Sequence, residues 1–320
     1  MNSGSSPTRS TFLRVKNMSQ SANYSNAIPQ AYSAMKCALD LLNQYETIQK
    51  MSTGLAELDS LIDGMQEGLF YLFYSTPENQ LILDSLLNRL LVGCILPKNG
   101  KKHGFESKAM LFNNIDYYGD KNKHQLLNPE KIAIISKYAG IEPKIVFKNL
   151  YVQTAYNLEH QITIAQEIAE KIDSNPDIEL IAIRDLTKFI VMNNKASYDS
   201  SNRNDDSGTL KKVLSILYQT CVKNKVTLVA TGYCSVSSSG IIPKPIGGTY
   251  LKHIVNILVN LKSNMNNGYY YTASSNSGGS SSASYKATMT KHPYQLTPKS
   301  TNIYAKRIGK RKNPMLFIFD

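Results

Sequence analysis

The 320-residue chain lacks any apolar run long enough to cross a bilayer as a helix, which argues against a helical membrane span. Its first stretch, MNSGSSPTRSTFLRVKNMSQ, has no apolar h-region, so a secretory signal is not expected. That stretch is basic, serine-rich and free of acid, which leaves a transit peptide open. Cysteine is sparse. Cys37, Cys94, Cys221 and Cys234 are far apart and form no CxxC pair, so neither a disulfide frame nor a zinc site is expected. The spacing suits a reduced intracellular protein. His103, His124, His160, His253 and His292 are scattered without metal-ligand spacing, and no metal or cofactor is expected. Acid is also in deficit: 24 Asp and Glu stand against 36 Lys and Arg, a net charge of +12. That balance points to a polyanionic partner, with general solubility as the alternative reading.

The hydrophobic fraction, 42%, supplies a full core. Residues 1–30 are rich in Ser, Asn and Gln and read as a disordered tail. Residues 31–50 carry Met35, Ala38, Leu41 and Leu42 at helical spacing and read as a linker helix. Ser52 or Thr53 is a candidate N-cap for a short helix in STGLAELDSLI. The remainder, 51–320, reads as one core with a Gly/Ser-rich insertion at 274–284.

Within the core, GLFYLFY is a continuous apolar run of strand length, and ENQLILDSLLNRLLVGCIL places Leu83, Leu86, Leu87, Leu90 and Leu91 on one helical face. AMLFNNI, IELIAIRDL and VTLVATGY read as further buried strands. LLNPEKIAIISKYAGI reads as a helix with Pro129 near its start and Gly140 just past its end. IVFKNLYVQTAY reads as extended. NLEHQITIAQEIAEKID reads as a helix capped by Asn157, with Leu158, Ile162, Ala165, Ile168, Ala169 and Ile172 inward. NNKASYDSSNRNDDSG reads as a loop before the helix TLKKVLSILYQTCVKN. Buried strands alternating with amphipathic helices predict an α/β fold. The sheet is mostly parallel, covered on both faces, with an antiparallel extension at the C-terminus.

Four landmarks then resemble one family, the RecA-fold recombinases of the archaeal and eukaryotic branch (RadA-like). LLNQYETIQKMSTGLAELDSLIDGMQEG resembles the entry to that family's core. FNNIDYYG sits where the family has DTEG, TAYNLEHQ resembles AFNTDHQ, and KPIGGTYLKH is similar to KPIGGNIIAH. The matches occur in family order over roughly residues 35–304. The family's N-terminal helix-hairpin-helix module is not expected here, where the polar tail stands in its place.

The resemblance implies a phosphate loop at STPENQLI. Such a loop needs glycines for backbone wrapping, a lysine on the β/γ-phosphates and a hydroxyl on Mg²⁺. Here Ser75 takes the first glycine's place, Gln80 the second glycine's, Leu81 the lysine's and Ile82 the hydroxyl residue's. No lysine lies between Gly68 and Gly93. Tyr118 replaces the glutamate that orients water. Arg184 stands where the metal-binding aspartate belongs, with Asp185 one residue late and expected on the other face of its strand. Gly232-Tyr233 replaces the Asn-Gln sensor. The resemblance thus implies a degenerate, non-hydrolysing site, with weak nucleotide binding without turnover as the lesser alternative. On the residues alone, the loop reads as an ordinary strand–helix turn, with Asn79 as helix cap and Leu81 in the core.

The resemblance also implies assembly and DNA contacts. MKCA, Met35 to Ala38, matches the Phe-x-x-Ala peptide that docks into the next subunit of a filament; equally, both residues fit a linker helix facing its own core. Two loops match the family's DNA-gripping loops. The first carries Lys195 and Arg203, with Lys211 and Lys212 on the following helix; the second carries Lys244 and Ile241-Ile242. Both also read as merely long loops. Lys306, Arg307, Lys310, Arg311 and Lys312 form a separate basic candidate.

The leading expectation is a non-catalytic recombinase paralogue that binds DNA, single-stranded above all, and a RecA-type recombinase. It would lie with the nucleoid in an archaeal cytoplasm or in a eukaryotic nucleus. The alternative is an RNA- or tRNA-binding scaffold resembling the RecA-fold subunits of Elongator. An ATPase with unorthodox ligands is the third reading.

Overall fold

The computed structural model describes residue 39 and residues 48–99, 103–116, 128–196, 203–234, 242–264, 282–308 and 316–319, with backbone alone at 193–196, 203–207, 282, 307 and 308. Met35, Ala38, Tyr118, Ile241, Lys310, Arg311 and Lys312 lie outside the described residues, as do the expected tail 1–30 and positions 274–281 of the Gly/Ser-rich stretch.

Strands β1 (Lys50–Met51) and β2 (Met65–Gln66) pair antiparallel around helix α1 (Ala56–Ile62). Then follow β3 (Phe70–Ser75), a 3-10 turn (Pro77–Asn79), α2 (Gln80–Ile95), β4 (Lys108–Asn114), α3 (Pro129–Ala139), α4 (Pro143–Asn149), β5 (Leu150–Ala155) and α5 (Leu158–Ser174). Next come β6 (Ile178–Arg184), α6 (Lys188–Ala196), α7 (Arg203–Asn224), β7 (Thr227–Tyr233), α8 (Gly248–Ile254) and β8 (Ile257–Ser263). The described chain closes with β9 (Ser282–Lys291), β10 (Lys299–Ile308) and β11 (Leu316–Phe319).

Nine strands form one sheet in the order β11-β10-β9-β8-β3-β7-β6-β4-β5. The six from β8 to β5 run parallel, and β9, β10 and β11 add antiparallel at the other side. This is the α/β RecA-like core, with the antiparallel C-terminal extension that the pattern predicts.

Every residue of β3 is buried, as a central parallel strand covered on both faces requires. Tyr71 and Phe73 enter one core layer with Leu83, Leu86, Leu87 and Leu90 of α2. Phe70, Leu72 and Tyr74 enter the opposite layer with α5 and α7. Each such side chain contributes about 1.5–3 kcal/mol on burial, so two full layers outweigh local propensity. The expected face of α2 is buried throughout. Asn157 caps α5 by accepting from the His160 N–H at 2.7 Å. Asn128 caps α3, and Gly140 ends it in the left-handed region.

Several local expectations need correction. Residues 145–149 are helix, not extended: Pro143 presets the first turn of α4, and only Val146 of that helix is buried, so no apolar period marks it. The stretch 193–208 is not one loop. It is helical up to Ala196 in α6 and again from Arg203 in α7, where Asp205 and Asp206 fall at the positive end of the helix dipole. Neither Ser52 nor Thr53 caps α1; the Ser52 hydroxyl and the Thr53 N–H instead donate to the Asp59 carboxylate, at 2.5 and 2.7 Å. β9 takes up positions 282–284 of the expected insertion.

Gly104 is required by close approach. A Cβ there would sit 2.1 Å from the Leu96 carbonyl oxygen, so only glycine lets this segment lie on the end of α2. Gly247, at φ 120°, starts the turn into α8 from KPIGG.

Candidate functional site

β3 has β7 and β8 as its neighbours, both later in the chain, while α2 leads away towards β4. The strand order therefore reverses at β3. In open α/β sheets the crevice at such a reversal, beyond the strands' C-terminal ends, is the usual ligand site. Here that position is filled by protein side chains.

Arg184 ends β6 and points to α2. Its Nε donates to Asp84 Oδ1 at 2.7 Å and its Nη2 to Asp84 Oδ2 at 2.6 Å. Both side chains are largely buried, at 13% and 15% exposure. Burial alone would lower the guanidinium's pKa, but the Asp84 charge and hydrogen bonds more than offset it, and the net shift is upward. Lys131 on α3 lies within reach of the same pair; burial lowers its pKa, Asp84 raises it and Arg184 lowers it.

Asp185 follows the strand at φ 51°, in the left-handed region. Strand alternation no longer governs its direction there, and the expectation that it faces away is corrected. Its Oδ2 accepts from Gln80 Nε2 at 2.9 Å, across the first turn of α2. The Thr231 hydroxyl accepts from its backbone N–H at 3.0 Å. Asp185 is fully buried, and the Tyr233 hydroxyl is a further hydrogen-bond neighbour of its carboxylate. Burial pushes its carboxyl up to about 6, against the opposing pull of Arg184. Tyr233, at the end of β7, sits near enough to feel that charge; burial first, then Asp185 and Asp84, raise its phenol.

A second tier holds these groups. Asn114 donates to the Arg184 carbonyl at 2.9 Å and accepts from Gln161 at 2.9 Å. Asn79 does not cap α2. Its Nδ2 donates to the hydroxyls of Ser75 and Thr76 at 3.0 and 3.2 Å. Ser75 donates to the Leu261 carbonyl, joining β3 to β8. Ile82 is fully buried in the α2 layer, whereas Leu81 is only half-buried and stays outside the core cluster expected for it.

Magnesium triphosphate does not fit these residues. A cation, Arg184, stands where a metal carboxylate is needed, and its charge is already matched by Asp84. Leu81 supplies no charge, and Ile82 supplies no oxygen. Among the described residues no group of three or more metal-ligating side chains gathers. The arrangement serves as an internal strut. The sequence reading missed Asp84, Asn114 and Gln161, whose only signal was a polar residue on an otherwise buried element.

The basic candidates lie on several elements. Lys211 and Lys212 are exposed on α7, Lys244 before α8 and Lys306 on β10. Lys195 and Arg203 lie in the last turn of α6 and the first of α7, and Arg307 lies in β10. The sheet adds residues that were not singled out. Lys262 of β8 pairs in register with Lys286 of β9, which pairs with Asn302 of β10. Tyr304 and Lys306 follow on the same face of β10, Tyr304 at 54% exposure. The other face of these strands, with Tyr285, Ala287, Met289, Ile303 and Ala305, is core. From residue 207 to 319 every charged side chain is Lys or Arg.

Comparison with known proteins places the chain in a family. The chain is 27% identical over 158 residues to the DNA repair and recombination protein RadA of Methanococcus maripaludis (strain C6), covering 48% of this chain and 47% of the relative. It is 28% identical over 160 residues to the protein of the same name from Methanococcus voltae, with the same coverage. The aligned part thus spans about half the length of the curated relatives it matches. The Rad51 family model matches residues 44–271, from the edge of β1 through β8, and the chain belongs to the Rad51 family.

Proposed function

We propose that this Rad51-family chain is a non-catalytic recombinase paralogue. It binds single-stranded DNA and braces or caps the filament of a recombinase during recombination and repair. The observation that carries the reading is the strut itself: Arg184–Asp84 and Gln80–Asp185 tie the end of β6 to the start of α2, beside the segment that resembles a phosphate loop. A subunit that cannot turn over nucleotide has no hydrolytic step with which to drive its own release. Such a subunit suits a stable end or an interspersed brace.

The DNA part rests on charge and shape. The outer face of β8–β10 offers Lys262, Lys286 and Lys306 to phosphates and Tyr304 as a stacking platform, with no acid on those strands. Basic grooves with aromatic platforms are the common design for single strands without sequence preference. Lys195, Arg203, Lys211, Lys212 and Lys244 flank the same end of the fold and extend the contact. The partner contact is assigned to Met35 and Ala38, and the place of action is wherever the chromosome lies.

Purification of the full chain from native cells, with and without nuclease, tests this reading. A RecA-type recombinase retained after nuclease treatment is the expected result. Recovery of an RNA-modifying assembly, with no recombinase, would overturn it in favour of an RNA-binding scaffold.

A further inference from the structure

We infer that a cavity at the N-terminal ends of β4 and β6 binds an organic ammonium carried on an apolar body. The site is independent of the reading above and lies at the opposite end of the strands. From Glu179 to Arg184 along β6 is roughly 17 Å at about 3.3 Å per residue.

The cavity measures about 800 Å³. That is within the usual size of small-molecule pockets, roughly 300–1,000 Å³. Its apolar walls come from Ile95 and Leu96 at the end of α2, Phe105, and Ile141 and Ile145 around α4. Ile95, Leu96 and Phe105 are buried, whereas Ile145 is 46% exposed at the mouth. The close approach of Gly104 to Leu96 fixes the Phe105 side of this wall.

Glu179, second residue of β6, is the half-buried carboxylate of this lining. Among the described residues it forms no ion pair. Ser107 is a hydroxyl neighbour that lowers its pKa as a hydrogen-bond partner, although the same group also reaches the Asp177 carbonyl. Lys108 is committed to Asp177 at 2.9 Å. Lys98 donates to Gln49 at 3.0 Å and reaches Glu179 only through its longer-range field. The lining holds three carboxylates, Glu106, Asp177 and Glu179, against the two cations Lys98 and Lys108. An acid excess in a chain of net charge +12 is local design, not background. Burial raises the Glu179 carboxyl, and a cation entering the cavity would relieve that penalty. A half-buried carboxylate within apolar walls selects a charge-assisted donor on a greasy stem and rejects anions.

Calorimetric titration of the full chain with hexylammonium, hexanol and hexanoate tests the inference. Hexylammonium should bind about tenfold tighter than hexanol, as one charge-assisted hydrogen bond provides, and hexanoate should not bind. Glu179→Gln, checked for an unchanged melting temperature, should make hexylammonium and hexanol equal. Ile145→Ala should weaken both. Acetyl-Leu-Lys-Leu-amide serves as the second arm. If it binds tighter than hexylammonium, the ammonium belongs to a polypeptide; if weaker, to a small molecule; either result supports the site. Equal affinity for hexylammonium and hexanol in the unaltered chain, an ammonium preference that survives Glu179→Gln, or no binding of any probe overturns it.

Discussion

Arg184 grips both oxygens of Asp84, at 2.7 and 2.6 Å, and so ties the end of β6 to the second turn of α2. The two residues are a hundred positions apart, yet each is the other's charge balance in a largely buried place. Removing one partner strands the other. Arg184→Ala should therefore destabilise the fold by about 3–5 kcal/mol in urea denaturation. The paired change Arg184→Met with Asp84→Leu should restore most of that loss, since matched apolar residues replace buried ion pairs at little cost. A double variant as unstable as the single one would mean that the pair carries more than mutual neutralisation.

Asp185 gives stability a pH signature. Its carboxyl ordinarily titrates near 3.8 and is raised to about 6 in the fold. A raised acid favours folding when protonated. Its contribution is fully present below about pH 3.8 and is lost as pH rises through about 6. Asp185→Asn keeps an acceptor for Gln80 and removes the charge. It should gain about 1–3 kcal/mol over the unaltered chain at pH 7.5 and show no gain at pH 4. Melting curves at the two pH values decide this, and an equal effect at both would remove the titration argument.

Nucleic-acid binding should follow salt in a countable way. Each phosphate neutralised on a single strand adds about −0.7 to the log–log salt slope. Replacing Lys262, Lys286 and Lys306 together by Ala should flatten the slope by about 2, and Lys195→Ala with Arg203→Ala by about 1. Tyr304→Ala should weaken binding by about 1–3 kcal/mol without changing the slope, because stacking releases no ions. Fluorescence anisotropy with a labelled oligonucleotide, without nucleotide, measures all three. A slope unmoved by the sheet lysines but flattened by neutralising Arg307, Lys310, Arg311 and Lys312 would shift the contact to the tail.

Most of the fold was legible because burial imposes a period. The five leucines on one face of α2 and the unbroken apolar run of β3 admit few other arrangements. α4 was not legible, since one buried residue in a helix of seven leaves no period to read. In the site, the loss of the phosphate-binding residues could be read from STPENQLI directly. What replaced them could not. Asp84 meets Arg184 only through the crossover from β3 to β4, and the direction of Asp185 depends on a left-handed backbone that no alternation rule foresees. Lys262, Lys286 and Lys306 belong to three strands, and only register brings them together.

Met35→Asp separates docking from internal packing. If MKCA fills a pocket on the neighbouring subunit, loss of that apolar anchor should abolish capture of the recombinase, an effect of about 2–5 kcal/mol, with the melting temperature unchanged. A lowered melting temperature with capture unchanged would place Met35 in this chain's own core instead.

The segregation of charge has a consequence for encounter. Exposed Glu159, Glu167, Glu170 and Asp173 ride on α5, over the β5 side of the sheet, while the acid-free strands occupy the other side. Strands about 4.8 Å apart put the two margins roughly 40 Å from each other. Between α5 and the acid-free strands the molecule carries a field that runs in the plane of its sheet. Near a polyanion it experiences a torque as well as an attraction. At physiological salt the field fades within about 8 Å, so the torque acts only in the final approach. A polyanion that met β8–β10 first would find base, and one that met α5 first would find acid.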